Sequence, residues 1–396
     1  METKKSNTVI VSACRTPIGS FLGSLASLKT TELGARVVRE AVQRAGLKPE
    51  QVDEVIMGCV LTAGLGQSPA RQATLGAGLP NKTGVLTVNK VCASGLKAVM
   101  LADEMIRAGD AEIVVAGGME SMSNVPYLLP RVRQGLRLGN AEIVDSIILD
   151  GLWDVYNNIH MGQCAELCAK KYTFSREMQD QYAIQSYKRA LNAIENKKFA
   201  DEIVPIEIKE KGNVKKIDSD EEPSRVQFEK IPTLKAAFDK DGTVTVANAS
   251  SINDGAAACV VMSEEKAKAL GLTPLARIVA HGGASLEPEW FTIAPIEAIR
   301  KVLDKLHLKT SDIDLWEINE AFSVVMLAIL QELKLDPSKV NVKGGAVALG
   351  HPIGASGARL LTTLVYEMKE RGAKRGLVSL CNGGGEAVAM VVESMA

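Results

Sequence analysis

The stretch Val85-Leu-Thr-Val-Asn-Lys-Val-Cys-Ala-Ser-Gly95 decides how the chain is read, because its plan returns near the C-terminus. Residues 85–91 carry the branched side chains of a strand, and Cys92-Ala-Ser-Gly95 opens a helix to about Ala108. Gly109-Asp110 stops that helix. Ile113-Val-Val-Ala116 is the next strand, apolar throughout and so buried, and it ends in Gly117-Gly118. In the second copy, Asn341-Val342 leads through Gly350-His-Pro-Ile-Gly354 to Ala355-Ser-Gly357, which opens a helix to about Arg371. Gly372 stops it, Leu377-Val-Ser-Leu380 is the strand, and Cys381-Asn-Gly-Gly-Gly385 follows. Both copies read as strand, small-residue turn, helix, glycine stop, buried strand and glycine-rich end. A further strand opens each half, Val9–Ala13 corresponding to Ala276–Ala280.

Such a duplication predicts two α/β halves related by a pseudo-twofold axis, with their corresponding loops meeting at one shared site. The expected division places residues 1–121 and 250–274 in an N-terminal half and 275–396 in a C-terminal half. Residues 122–249 break the pattern and read as an inserted loop domain. It holds Pro126, Pro130, the basic stretch Arg131-Val-Arg-Gln-Gly-Leu-Arg137, and helical segments near 161–171 and 176–198. A charged run from Glu207 to Arg225 reads as an exposed loop or short strands. With chemistry in the two halves, the insert is left with substrate binding and subunit contacts.

Composition narrows the field. At 396 residues the chain exceeds one ordinary core, and 46% hydrophobic residues with 34 glycines suit a soluble α/β protein. A net charge of −1 without a basic stripe argues against nucleic acid, and no apolar run is long enough to span a membrane. Seven scattered cysteines, an odd number, point to reduced thiols and a cytoplasmic location. The start, Met1 to Asn7, shows no leader, and the end, Glu-Ser-Met-Ala, no peroxisomal signal; a mitochondrial location would need a transit peptide already removed. No dinucleotide fingerprint, phosphate-binding Gly-Lys-Ser/Thr loop or Gly-x-Ser-x-Gly elbow occurs, which argues against nicotinamide, nucleotide-hydrolysing and serine-hydrolase chemistry.

Four residues in small-residue settings could carry chemistry. Cys92 stands at a helix start, where the dipole lowers a thiol's pKa and favours the nucleophilic thiolate, though a packed core cysteine fits such a turn too. His351, one of four histidines, lies among glycines and Pro352 rather than on an apolar stripe; it can take a thiol proton, or be a surface loop residue. Cys381 ends a buried strand before three glycines that free N–H groups to point inward, and a tuned thiol can act as acid or base there. Asn319 is neutral and suits holding a water or an oxyanion, while Glu320 beside it is the more obvious base.

Asn-Lys-Val-Cys-Ala-Ser-Gly (89–95), Asn-Glu-Ala-Phe-Ser (319–323), Gly-Gly-Ala-Val-Ala-Leu-Gly-His-Pro-Ile-Gly (344–354) and Cys-Asn-Gly-Gly-Gly (381–385) together resemble thiolases, and the likeness covers essentially the whole chain. It implies the duplicated αβαβα thiolase fold with a loop domain, and a homotetramer assembled through a loop early in the insert. It implies Cys92 as the acylated nucleophile, His351 as its activator, Cys381 as the acid/base, and Glu320 as structural. One oxyanion hole would come from His351 and a water on Asn319, the other from the N–H groups of Cys92 and Gly383.

The implied activity is that of an acetyl-CoA C-acetyltransferase, condensing two acetyl-CoA reversibly, with coenzyme A as substrate and product and no required cofactor. His160-Met161 resembles the short-chain, acetoacetyl-CoA branch, and Ser250, Phe322 and, less closely, Arg225 match coenzyme A contacts. Tyr187, Val246, Ala247, Ala249 and Val347 resemble a potassium site. His160, Cys164 and Cys168 share the i, i+4, i+8 spacing of metal ligands, but one helix face presents three ligands awkwardly and no fourth lies near in sequence. The alternatives are a degradative 3-ketoacyl-CoA thiolase of broader chain length, a decarboxylating synthase, which would want a second histidine, and a noncatalytic coenzyme A- or lipid-binding scaffold.

Overall fold

A computed structural model describes residues 7–210 and 212–395. Most of the N-terminal stretch read for a leader, and the last residue of the C-terminal one, lie outside the described residues. The first half contributes strands β1 (Thr8–Arg15), β2 (Glu54–Gly58), β3 (Gly84–Val88), β4 (Ile113–Ser121) and β5 (Asn253–Ser263), with helices α1 (Thr30–Arg44), α2 (Pro69–Gly76) and α3 (Ser94–Ala108). The insert adds α4 (Met161–Tyr172) and α5 (Arg176–Glu195). The second half follows with β6 (Ala276–Ser285), α6 (Ala294–Leu306), β7 (Leu315–Ile318), α7 (Ser323–Leu333), α8 (Ser356–Arg371), β8 (Arg375–Asn382) and β9 (Glu386–Ser394).

The two halves repeat each other in four of their five strands. In the first, β1 pairs antiparallel with β5, β5 antiparallel with β4, and β4 and β3 lie parallel on either side of β2. In the second, β6 pairs antiparallel with β9, β9 antiparallel with β8, and β8 parallel with β7. A fifth strand, the partner of β3, is reduced to one parallel bridge between Trp316 and Val340, so the strand read at the head of the second copy does not form as such. The halves join where Thr8, Val9 and Ile10 pair antiparallel with Ile278, Arg277 and Ala276.

One detail of the duplication shifts. Both opening strands carry an irregularity, between Ile10 and Ser12 in β1 and between Ile278 and Ala280 in β6. Superposing the two bulges equates Thr8 with Ala276, one residue from the expected match of Val9. β6 alternates buried and half-buried positions, but β1 is buried along its whole length, so β1 offers no alternation against which the repeat can be matched.

The core explains the layering. Val9, Val55, Val115 and Val260 point away from the molecular centre and pack with α1 and α2. Ile10, Ile56, Val114 and Val261 point inward to α3 and α8, which also receive Val378, Val388 and Met390 of the second half. The outer face of the second half packs on α4, α6 and α7. The result is helix, sheet, helix, sheet, helix, with α3 and α8 in the middle. Both central helices end where expected: Gly109 (φ +85°) and Gly372 (φ +62°) take the left-handed conformation that closes a helix.

At their N-termini the central helices nearly touch. A Cβ on Gly95 would lie 2.9 Å from the Ala358 nitrogen, and one on Gly357 would lie 2.6 Å from the Leu96 nitrogen. The small residues of both Ala-Ser-Gly segments let the turns that carry Cys92 and His351 come together.

The insert is fastened by charge. Arg15, fully buried at the end of β1, gives Nε–H to Glu202 at 2.6 Å and pairs with Asp220 at 2.7 and 3.0 Å. Removing one partner from such a group strands a buried charge, at about 3–5 kcal/mol. The charged run expected to be exposed is therefore mixed: residues 206–210 and 213–217 form a hairpin with Lys215 and Lys216 exposed, but Asp220 is buried against Arg15. Among the described residues no helix is long and apolar enough to cross a membrane.

Candidate active site

Cys92 is set by a strained turn. Val91 has φ +47°, a left-handed conformation that costs a β-branched residue about 1–3 kcal/mol. Asn89 Oδ1 accepts the Val91 N–H at 3.0 Å, while Ser94 Oγ accepts the Lys90 N–H at 2.8 Å and donates to the Val91 carbonyl at 2.6 Å. Lys90 Nζ also meets Glu386 at 2.6 Å, tying this turn to the one after Cys381.

Helix α3 begins two residues beyond Cys92, and the low-pKa thiolate expected from its dipole does not result. Burial pushes the Cys92 thiol up to about 12, with the charge of Glu120 adding; the N–H groups of Gly383 and of Cys92 itself act in the opposite sense without overcoming it. Cys92 rests as a thiol. Those two N–H groups reach the sulfur, so they also lie where an acyl oxygen on it would need donors.

His351 follows the end of a short helical turn and is 5% exposed. Its backbone N–H donates to Asn253 Oδ1 at 2.9 Å, its Nδ1 lies 2.6 Å from Ser356 Oγ, and its Nε2 lies 3.4 Å from Asn319 Nδ2. Burial and then the Arg359 charge push its pKa down to about 3, so it is neutral at physiological pH. Asn319 continues from β7, donates its backbone N–H to Ser379 and leaves its buried Oδ1 without a partner. A water accepted there would satisfy it.

Cys381, near the end of β8, is buried, and burial followed by the nearness of Cys92 pushes its thiol well up. Glu320 is fully engaged, accepting from Tyr182 Oη, Ser186 Oγ, Asn341 Nδ2 and the Val347 N–H at 2.6–3.2 Å. That carboxylate anchors the insert against the second half and is not free to act as a base.

One cavity of about 300 Å³ is lined by Cys92, His351, Cys381 and Gly383. His160, Met161, Ser250 and Phe322 line it as well. His160 caps α4, its Nδ1 accepting the Gly162 N–H at 3.0 Å, which leaves Nε2–H as a donor. It stacks on Phe238 at 4.9 Å, and Phe238 meets Phe322 edge-on at 6.1 Å. Ser250 Oγ donates to the Ala321 carbonyl at 3.0 Å and keeps lone pairs for an incoming amide N–H.

Not every expected residue joins them. Arg225 is exposed on the turn Glu222–Arg225 and does not line the cavity. The five residues of the potassium pattern divide: Val246 and Ala249 line the cavity, while Tyr187, Ala247 and Val347 do not. Tyr187 lies edge-on to Phe228, and burial with the charges of Glu222 and Glu320 pushes its hydroxyl up to about 12. Cys164 and Cys168 are buried on α4, and among the described residues no three His, Cys, Asp or Glu side chains stand together as metal ligands.

The structure adds residues the motifs did not flag. Glu120, buried, holds the N–H groups of Val60, Leu61 and Gly354 and so braces the turn after His351. Ser356 contacts His351 directly; its place in the repeated Ala-Ser-Gly was the available signal. Phe238 and Phe291, which complete the aromatic wall, sit in segments without any motif.

Residues 8–265 match the thiolase N-terminal domain and residues 272–394 the thiolase C-terminal domain, and the chain belongs to the thiolase family. It is 55% identical over 390 residues to acetyl-CoA acetyltransferase of Cupriavidus necator, covering 98% of this chain and 99% of that one. It is 54% identical to the mitochondrial acetyl-CoA acetyltransferase of Rattus norvegicus, covering 98% of this chain and 92% of the relative. Among solved structures, acetyl-CoA acetyltransferase of Bacillus anthracis aligns with a TM-score of 0.97 at 46% identity, over 99% of this chain and all of the other. Acat5 thiolase from Ascaris suum, in complex with coenzyme A, aligns at 0.94 and 45%, over 98% and 100%.

Proposed function

We propose that the protein is an acetyl-CoA C-acetyltransferase, reversibly joining two acetyl-CoA into acetoacetyl-CoA and CoA. The observation that carries this reading is the convergence of two thiols and one neutral imidazole on a single cavity, with the N–H groups of Cys92 and Gly383 at the first thiol.

In this scheme His351 Nε2 takes the Cys92 proton as sulfur attacks the acetyl carbonyl, and the oxyanion is held by the N–H groups of Cys92 and Gly383. The departing CoA thiolate takes the Cys381 proton, leaving a thiolate that high pKa makes strongly basic. That thiolate removes a methyl proton from the second acetyl-CoA, whose enolate oxygen faces His351 Nε2–H and a water on Asn319. The carbanion attacks acetyl-Cys92, and His351 returns its proton to the departing Cys92 sulfur. Every proton is then back where it began. His160, Met161, Ser250 and Phe322 hold the thioester and pantetheine, Arg225 is reserved for the distal end of coenzyme A, and a potassium ion beside Tyr187 would brace the 246–249 loop.

Residues 122–249 are assigned to coenzyme A binding and to assembly as a homotetramer. Supporting the latter, Leu136, Leu138 and Ile143 are exposed in one loop, Leu138 completely. All seven cysteines are unpaired, which favours a reducing compartment such as the cytoplasm.

The test is CoA-dependent cleavage of acetoacetyl-CoA beside 3-ketohexanoyl-CoA and 2-methylacetoacetyl-CoA, with and without potassium. Clear preference for acetoacetyl-CoA is expected; equal or faster cleavage of the longer substrate would move the protein to the degradative branch. Cys381→Ala should still form acetyl-enzyme, visible by intact mass, while condensation falls by at least about 10²-fold. Normal condensation by that variant would remove Cys381 from the mechanism.

A further inference from the structure

Whether an imidazole can accept a thiol proton depends on which ring nitrogen already bears one. For His351 Nε2 to be the acceptor, its proton must sit on Nδ1, and in a buried site Nδ1–H needs a hydrogen-bond acceptor. Among the described residues, the only side chain at hydrogen-bond distance from Nδ1 is Ser356, with Oγ at 2.6 Å. Ser356 Oγ also lies 2.9 Å from the Pro352 carbonyl, four residues back, to which a helical serine gives its proton. The chain of donors then has one direction: His351 Nδ1–H to Ser356 Oγ, and Ser356 O–H to Pro352 C=O. Asn319 Nδ2, a donor, faces Nε2 at 3.4 Å and agrees with a lone pair there. Ser356 is 1% exposed, so no bulk water substitutes for it.

We propose that Ser356 is a positioning residue for the reaction, holding His351 in the Nδ1–H tautomer so that Nε2 can take the Cys92 proton. It is the third member of a cysteine, histidine, serine relay. The pseudo-twofold gives it a counterpart, Ser94, whose hydroxyl donates to the Val91 carbonyl, three residues back rather than four, and shapes the Cys92 turn. One duplicated serine thus sets the nucleophile in one half and its base in the other. This inference rests on the assignment of His351 as the base for Cys92.

The experiment compares wild type with His351→Ala, Ser356→Ala and Ser356→Thr, reading the rate of Cys92 alkylation by iodoacetamide at pH 7 together with kcat and KM for acetoacetyl-CoA thiolysis. Alkylation does not depend on the substrate assignment. Ser356→Ala is expected to slow alkylation and lower kcat by about 10- to 100-fold with KM within about twofold, because the base, not binding, is affected. Ser356→Thr, which keeps the hydroxyl, should recover most of both. Ring ¹⁵N shifts of labelled His351 should show Nδ1 protonated in wild type and a tautomer mixture in Ser356→Ala. Loss of the His351→Ala effect on alkylation would overturn the assignment of the base, and the relay with it. A clear His351→Ala effect with Ser356→Ala at wild-type rates, or with Ser356→Thr as slow as Ser356→Ala, would overturn the relay alone.

Discussion

His351 shows how surroundings outweigh residue type. An imidazole in water protonates as pH falls through about 6.5. Here burial and the Arg359 charge hold the ring neutral to about 3. A base is competent only while neutral, so the acylation step should stay within about twofold from pH 8 down to pH 6. Pre-steady-state release of CoA from acetyl-CoA measures this directly, and an acid limb centred near 6.5 would mean that water reaches the ring. The linkage has a matching sign. The unfolded chain takes up a proton at this residue below about pH 6.5 and the folded one does not, so His351 withdraws stability as pH falls from there toward 3. The neighbours of Cys92 mark it as the proposed nucleophile, but they do not give its resting state. Burial decides that, with the Glu120 charge adding and the Gly383 N–H opposing, and no local motif records how distant segments surround a thiol.

Between elements, the contact that matters most is the crossing of α3 and α8. Gly357→Ala improves helix propensity by nearly 1 kcal/mol, yet its methyl would lie 2.6 Å from the Leu96 backbone. Side chains can rotate away; backbone cannot. The variant should therefore lose about 3 kcal/mol or more in urea unfolding and lose thiolysis with it, since both reactive turns start at this crossing. A loss under 1 kcal/mol would show that the helices part easily. The helices, their glycine stops and the buried strands after them were legible because each is a local pattern of period or conformation. The residue-by-residue match of β1 with its repeat β6 was not, because β1, buried on both faces, carries no alternation. Nor was the burial of Asp220, whose partner Arg15 lies some 200 residues away in sequence.

For the molecule as a whole, the duplication puts one thiol in each half, and the histidine with the second. Assembly is a separate matter. On the proposed homotetramer, Leu136→Lys with Leu138→Lys should shift the mass in solution from tetramer to dimer, read by light scattering, while thiolysis per subunit stays within about threefold. An unchanged mass would exclude this loop from the assembly. The order of the strands has a consequence for how the protein is made. Strand β5 lies between β1 and β4, pairing Ser263 with Thr8 and Met262 with Ile113, yet it is synthesised after the entire insert. Until residue 263 has emerged from the ribosome, the nascent first half carries two unzipped strand edges facing a gap. Pairings of such long sequence separation form slowly and leave apolar edges open to other chains meanwhile. The insert is thus a delay as well as a domain, and crowded synthesis is where this protein is most exposed to aggregation.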